Sequence, residues 1–185
     1  MPASKEEIAT KFMALAYRYG FARTTIEDVV GALHISKKTV YDHFANKEEL
    51  LRYAIELGAA EQRRRVEARV TEKGAVARAL QVVSLAIADV RALVESNPHP
   101  EFVEPNEISE QVNTRVFSAM VRDLISEGVA NGEITVPDID FTTACCMAVG
   151  MEAVRLIRED PANRPECAAR DAIGRLLDDS KWRKE

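Results

Sequence analysis

The chain has 185 residues, 46% hydrophobic and 30% charged, with eight Gly and seven Pro, a balance that excludes a disordered tail or a collagen-like fibre and suits one compact domain or two small ones. The net charge of −5 excludes a uniformly basic coat, but the acid is unevenly placed. Residues 1–60 carry eight Lys/Arg and eight Asp/Glu, so the whole excess lies in residues 61–185.

In chain order, Ile8, Phe12, Leu15, Ala16 and Tyr19 form an apolar stripe on a first helix, because residues three and four apart share a helical face. Gly20 ends that helix and Phe21 can fold back on it. Thr24-Thr25-Ile26-Glu27 reads as a capping box, in which a hydroxyl accepts a free backbone N–H and Glu reaches back. It opens a second helix whose Ile26, Val29, Val30 and Leu33 share one face. A tight turn at His34 follows, where Gly would adopt a left-handed backbone more easily, although His tolerates it better than most residues. Ser36 then caps a third helix. Val40 and Phe44 lie four apart and point to a small core, leaving Lys37, Lys38, Thr39, Tyr41, Asp42 and His43 on the outer faces. Asn46 caps a fourth helix through Lys47-Glu48-Glu49.

This is the pattern of a helix-turn-helix, with a second helix able to enter the major groove of DNA. The segment Lys5 to Glu56 resembles the N-terminal DNA-binding domain of the TetR family of bacterial transcriptional regulators. Gly20-Phe21, Thr24-Thr25-Ile26, Ile35-Ser36-Lys37-Lys38-Thr39-Val40-Tyr41, His43-Phe44 and Lys47-Glu48-Glu49-Leu50-Leu51 carry the resemblance. It implies backbone or base contacts from Lys37, Thr39, Tyr41 and His43 and phosphate contacts from Thr25 and Lys47, and Ser36 and Lys38 on the same helix are DNA-binding candidates beside them. His34 departs from the family's usual Gly. Asp42 stands where the family varies; it could accept a hydrogen bond from a cytosine amino group or be a solvated surface acid.

Residues 1–50 are thus expected to be the helix-turn-helix domain, and residues 51–185 a helical regulatory domain that resembles the family's only in length and helical content. The fold class is all-α, with about nine helices in total. The fourth helix runs from Asn46 to about Thr71, its Arg63-Arg64-Arg65 and Arg69 reading as a solvated face. Ala75 to Ser96 is next, with Leu80, Val83, Ile87, Val90 and Val94 inward, before Asn97-Pro98-His99-Pro100. A loop or short helix lies near Glu101 to Pro105. Helices follow from Asn106 to Ala130, from Asp138 to about Asp160, and from Pro165 to about Leu177.

One reading head grips too few base pairs to select a site, whereas a two-fold dimer reads two half-sites of a palindromic operator. The resemblance places the dimer interface on the last two long helices. The small-residue stripe there nominates Thr142, Cys146, Val149, Gly150, Ala153, Ala169, Ile173 and Leu176. The resemblance also implies an unknown small-molecule ligand held among the helices, for which Val83, Ile87, Phe102, Phe117, Met120, Met147 and Met151 are candidate walls, with ordinary core as the alternative. His99, Arg115 and Glu152 are candidates to orient a polar group of that ligand.

The N-terminus MPASKEEIAT has no apolar core and no run is long enough to span a bilayer, so a cytoplasmic protein without membrane partners is expected. Cys145, Cys146 and Cys167 are odd in number and read as small buried residues. With His34, His43 and His99 scattered, no metal site or cofactor is expected. No nucleophile–base set or phosphate loop supports an enzyme. The reading is a transcriptional regulator, a repressor released by its ligand. The alternative is a helical interaction module whose helix-turn-helix no longer binds DNA.

Overall fold

A computed structural model describes residues 3–96 and 107–178. Among the described residues there are eight helices and no strand: α1 (Lys5–Tyr19), α2 (Ile26–Leu33), α3 (Lys37–Tyr41), α4 (Lys47–Arg69), α5 (Ala75–Ser96), α6 (Glu107–Ala130), α7 (Ile139–Glu159) and α8 (Glu166–Leu177). The all-α expectation holds. The ninth element, expected near residues 101–105, lies outside the described residues. The described residues form two compact units, one of residues 3–61 and 107–113, the other of residues 62–96 and 114–178.

In the first unit, α1 starts on a capping box: Glu7 N–H donates to Ser4 Oγ at 3.1 Å and Ser4 N–H to Glu7 Oε2 at 2.7 Å. The helix buries Ile8, Phe12 and Ala16 and stops at Gly20, whose φ of 92° only glycine adopts freely. The second capping box sits one residue later than the sequence suggests. Thr25 is the cap and Asp28 its reciprocal partner: Asp28 N–H donates to Thr25 Oγ1 (3.2 Å) and Thr25 N–H to Asp28 Oδ2 (2.7 Å). Thr24 is instead buried, its hydroxyl donating to the Gly20 carbonyl at 2.8 Å. Glu27 is thereby released from capping and turns to Lys37.

In the second unit α5 packs against both α7 and α8, which also pack on each other. A Cβ added at Gly150 would lie 3.6 Å from Val83, and one at Gly174 would lie 3.9 Å from Leu80. The chain between α6 and α7 is locked twice. α6 ends in a Schellman turn, with Glu133 N–H donating to the Gly128 carbonyl (2.8 Å) and Gly132 N–H to Val129 O (3.2 Å), around a Gly132 φ of 73°. Glu133 then reaches across to cap α5, its Oε2 accepting the Ala75 N–H at 2.6 Å. The residue before Ala75 is Gly74, which has no side chain to cap with, so the carboxylate supplies both acceptor and favourable charge at the helix N-terminus.

Arg91 of α5 is a second tie. Its guanidinium pairs with Glu166 of α8 and donates to the carbonyls of Pro161 (3.1 Å) and Asn163 (2.7 Å). Gln81 holds the α4–α5 connection by accepting the N–H groups of Thr71 (2.8 Å) and Glu72 (3.0 Å) while donating to Arg69 O (3.3 Å).

Gly128 offers a test of this packing, since a Cβ there would lie 2.5 Å from Ile134 Cδ1 and 2.9 Å from Ala75 Cβ. Alanine favours a helix over glycine by about 1 kcal/mol, but overpacking of this kind costs about 1–3 kcal/mol. We expect Gly128→Ala to be destabilising by up to about 2 kcal/mol, seen as a lower urea midpoint at unchanged slope.

Candidate nucleic-acid interface

A helix of five residues has little stability of its own, so α3 is held at both ends and from below. Ser36 Oγ accepts the Thr39 N–H at 3.1 Å and lies 2.9 Å from Thr39 Oγ1. Behind it, His34 takes up left-handed backbone (φ 55°, ψ 41°), which lets Ile35 N–H close on the Val30 carbonyl at 3.2 Å. The turn geometry expected from the sequence therefore forms with His in place of Gly. Val40 and Phe44 are buried beneath α3. The Phe44 ring lies 5.6 Å from that of Tyr53, and the Lys5 ammonium sits over both rings at 5.0 and 4.5 Å.

What remains uppermost is the polar face. Ser36, Lys37, Lys38 and Tyr41 are exposed, Tyr41 by 52%. Thr39 and His43 are half-buried. His43 Nε2 lies 3.2 Å from the Ala3 carbonyl, tying the end of α3 to the N-terminal residues. Lys47 donates to the carbonyls of Phe21 (2.9 Å) and Ala22 (3.3 Å), so it bridges the α1–α2 turn and the start of α4. Thr25 is exposed, but its hydroxyl donates to Asp28 at 2.7 Å, which holds the Asp28 carboxyl below its ordinary range. Asp42 pairs with Lys38 at 3.1 Å. Lys37 pairs with Glu27, and that hydrogen bond lowers the Glu27 pKa and raises that of Lys37. Sequence spacing misses this last pair because its partners belong to different helices. It misses the Ser4–Glu7 box too, although Ser-x-x-Glu before an apolar run is a readable signal.

The profile described as "Bacterial regulatory proteins, tetR family" matches residues 13–54, which run from α1 into α4. The N-terminal helix-turn-helix domain is a TetR-family domain. A similar segment occurs in an uncharacterized HTH-type transcriptional regulator, YxbF, of Bacillus subtilis (strain 168), 39% identical over 59 residues. That match covers 31% of this chain and 16% of the Bacillus protein. Among solved structures, RolR in complex with the ligand resorcinol is similar with a TM-score of 0.74 at 18% identity, over 94% of this chain and 86% of that one. The transcriptional regulator FadR from Bacillus subtilis, in complex with stearoyl-CoA, gives 0.68 at 14% identity, over 92% and 96%. At these identities the likeness is one of fold. Behind the TetR-family head, this chain thus shares a helical architecture with RolR and FadR.

Within that body, the residues nominated for a dimer interface are mostly placed elsewhere. Thr142, Cys146, Ala153, Ala169 and Ile173 are buried inside this chain, Val149 and Gly150 are half-buried, and of the eight only Leu176 is exposed. Small side chains let helices approach closely whether the neighbour belongs to the same chain or another; here the neighbours are α5, α7 and α8 of the same chain. The open side of α7 is instead Phe141, Ala144, Ala148, Glu152 and Arg155. Glu152 pairs there with Arg155 at 2.6 Å on the exposed face, which removes it from any interior ligand. Arg115 is likewise exposed, and His99 lies outside the described residues.

Of the candidate ligand walls, Val83, Ile87, Phe117 and Met120 are buried and Met147 and Met151 half-buried; Phe102 lies outside the described residues. Cys146 is buried, and that burial pushes its thiol up to about 11, so it is a poor nucleophile. Cys167, expected to be buried, is exposed on α8. No described helix is long and apolar enough to cross a membrane.

The left-handed His34 gives a test of the turn. A left-handed L-residue costs about 1–2 kcal/mol, against about 0.5–1 kcal/mol of extra chain entropy for glycine. We expect His34→Gly to raise stability by about 0.5–1 kcal/mol in urea denaturation.

Proposed function

We propose that this protein is a sequence-specific DNA-binding transcriptional regulator that acts as a two-fold dimer on a palindromic operator and is released from it by a small molecule. The observation that carries the reading is the exposed α3 on a TetR-family head, which presents Lys37, Lys38 and Tyr41 above the buried Val40 and Phe44. Such a helix fits the width of the major groove, where ammonium groups meet guanine acceptors or phosphates and a phenol donates to phosphate. Thr25 and Ser36 stand at helix N-termini, where backbone N–H groups also favour phosphate.

Selection of bound fragments from random DNA, followed by titration at several salt concentrations, tests this. We expect one preferred palindrome and a falling affinity with salt. Tyr41→Phe should weaken binding to every duplex without changing which sequence is preferred, because the lost phenol contact is to phosphate. Thr39→Ala should relax base preference at one position of each half-site, by about 1–3 kcal/mol if its contact is to a base edge. A chain that selects no duplex would leave the interaction-module reading in its place.

The dimer is assigned to the open side of α7 with Leu176 of α8. Phe141, Ala144, Ala148, Glu152 and Arg155 recur at three- and four-residue spacing, and Phe141 is 69% exposed, which suits an apolar contact at one end of a helix pair. Phe141→Asp should convert the dimer to monomer in sedimentation equilibrium and weaken operator binding by at least about tenfold, because two half-sites no longer add. The ligand is assigned to the apolar surroundings of Val83, Ile87, Phe117, Met120, Met147 and Met151. The resorcinol bound by RolR and the stearoyl-CoA bound by FadR support an aromatic or amphipathic compound. Methionines adapt their shape to such a guest. Release requires that the ligand bind the DNA-free arrangement better than the DNA-bound one.

A further inference from the structure

The head is electrically neutral although its outward helix carries two lysines, and the structure shows how one of them is restrained. Lys37 opens α3 and Glu27 stands in the first turn of α2. Their side chains form an ion pair while remaining 57% and 61% exposed. The other pairs on this face are local. Lys38 and Asp42 are four residues apart on one turn, and Thr25 and Asp28 belong to one capping box. Glu27 alone among them brings a carboxylate from a different helix. It is also free of the capping role, which Asp28 performs.

We propose that Glu27 sets the DNA specificity of this protein by occupying Lys37, an inference that rests on the DNA-binding reading above. On an arbitrary duplex Lys37 can gain only a phosphate. Taking it means giving up the ion pair and leaving the Glu27 carboxylate unpaired close to the DNA charge. The gain at the phosphate is offset by that loss and by the repulsion, so on an arbitrary duplex Lys37 stays on Glu27 and neutralises no phosphate. At a matched site the situation differs. An ammonium group has three N–H donors. One can stay on Glu27 while the others meet acceptors on a guanine edge, at a place the carboxylate itself has fixed. The pair thus penalises phosphate-only binding and pre-orients Lys37 for a base.

The test uses the full-length protein and fluorescence anisotropy, with the selected operator and an unrelated duplex of equal length over a salt series. Glu27→Gln should bind the unrelated duplex about 3- to 10-fold more tightly at low salt, with a logarithmic salt slope steeper by about 0.9. The ratio of operator to unrelated affinity should fall correspondingly. The same substitution made in a Lys37→Gln background should change that ratio by no more than about twofold. An unchanged or increased ratio in Glu27→Gln overturns the proposal. So does an equal loss of discrimination in the Lys37→Gln background, since Glu27 would then repel DNA without acting through Lys37. A wild-type protein that prefers no duplex overturns the regulatory reading itself. That failure is read in the arm without substitutions and is distinguishable from the other two. Unchanged thermal midpoints of the variants show that the head remains folded.

Discussion

The burial of Val40 and Phe44 is the constraint on which the reading head depends. Five residues of helix cannot nucleate and persist in water, because the first turn orders several residues for a single hydrogen bond. α3 exists because those two side chains are removed from solvent beneath it, with Phe44 beside Tyr53 and the Lys5 ammonium over both rings. Its orientation follows from the turn that precedes it, where the left-handed His34 ends α2 and the Ser36 hydroxyl caps the start of α3. With the apolar side fixed in this way, the polar side has only one direction left, which is outward.

The second unit solves a related difficulty by other means. Its helices are long enough to persist once packed, but they must be joined without leaving backbone groups unsatisfied. Glu133 does this at the start of α5, where Gly74 cannot. Gln81 does it at the end of α4, and Arg91 does it between α7 and α8. Each of these three side chains reaches backbone groups of a segment distant in sequence, so each also fixes the packing of the helix it touches. The close approach of α5 to α7 and α8 at Gly150 and Gly174 is the same economy of space.

Charge on the head is governed by placement more than by sum. An exposed pair such as Lys37–Glu27 adds little to folding stability. Its consequence lies in what Lys37 is free to do when another anion approaches. Lys47 illustrates the same point, since its ammonium is already engaged by two backbone carbonyls and so braces the start of α4 against the α1–α2 turn.

Helix boundaries were legible in the residues themselves. Ser36, Asn46 and Asp138 are caps by chemistry, and the expected span of α5 from Ala75 to Ser96 matches the structure. Such signals act within four residues, so most can be read locally, although the α2 cap falls at Thr25 where the sequence also offers Thr24. The inward Val40 and Phe44 and the outward Lys38 and Tyr41 followed from the 3.6-residue period alone. Partners that come from elsewhere in the chain did not. Whether Glu27 caps a helix or meets Lys37, whether Glu133 is a surface acid or the cap of α5, and whether Gly150 faces a second copy or Val83 of α5 are questions of distance between segments. Periodicity states which face a side chain lies on. Only the tertiary structure decides what stands opposite that face, because helices related by packing carry no fixed spacing along the chain.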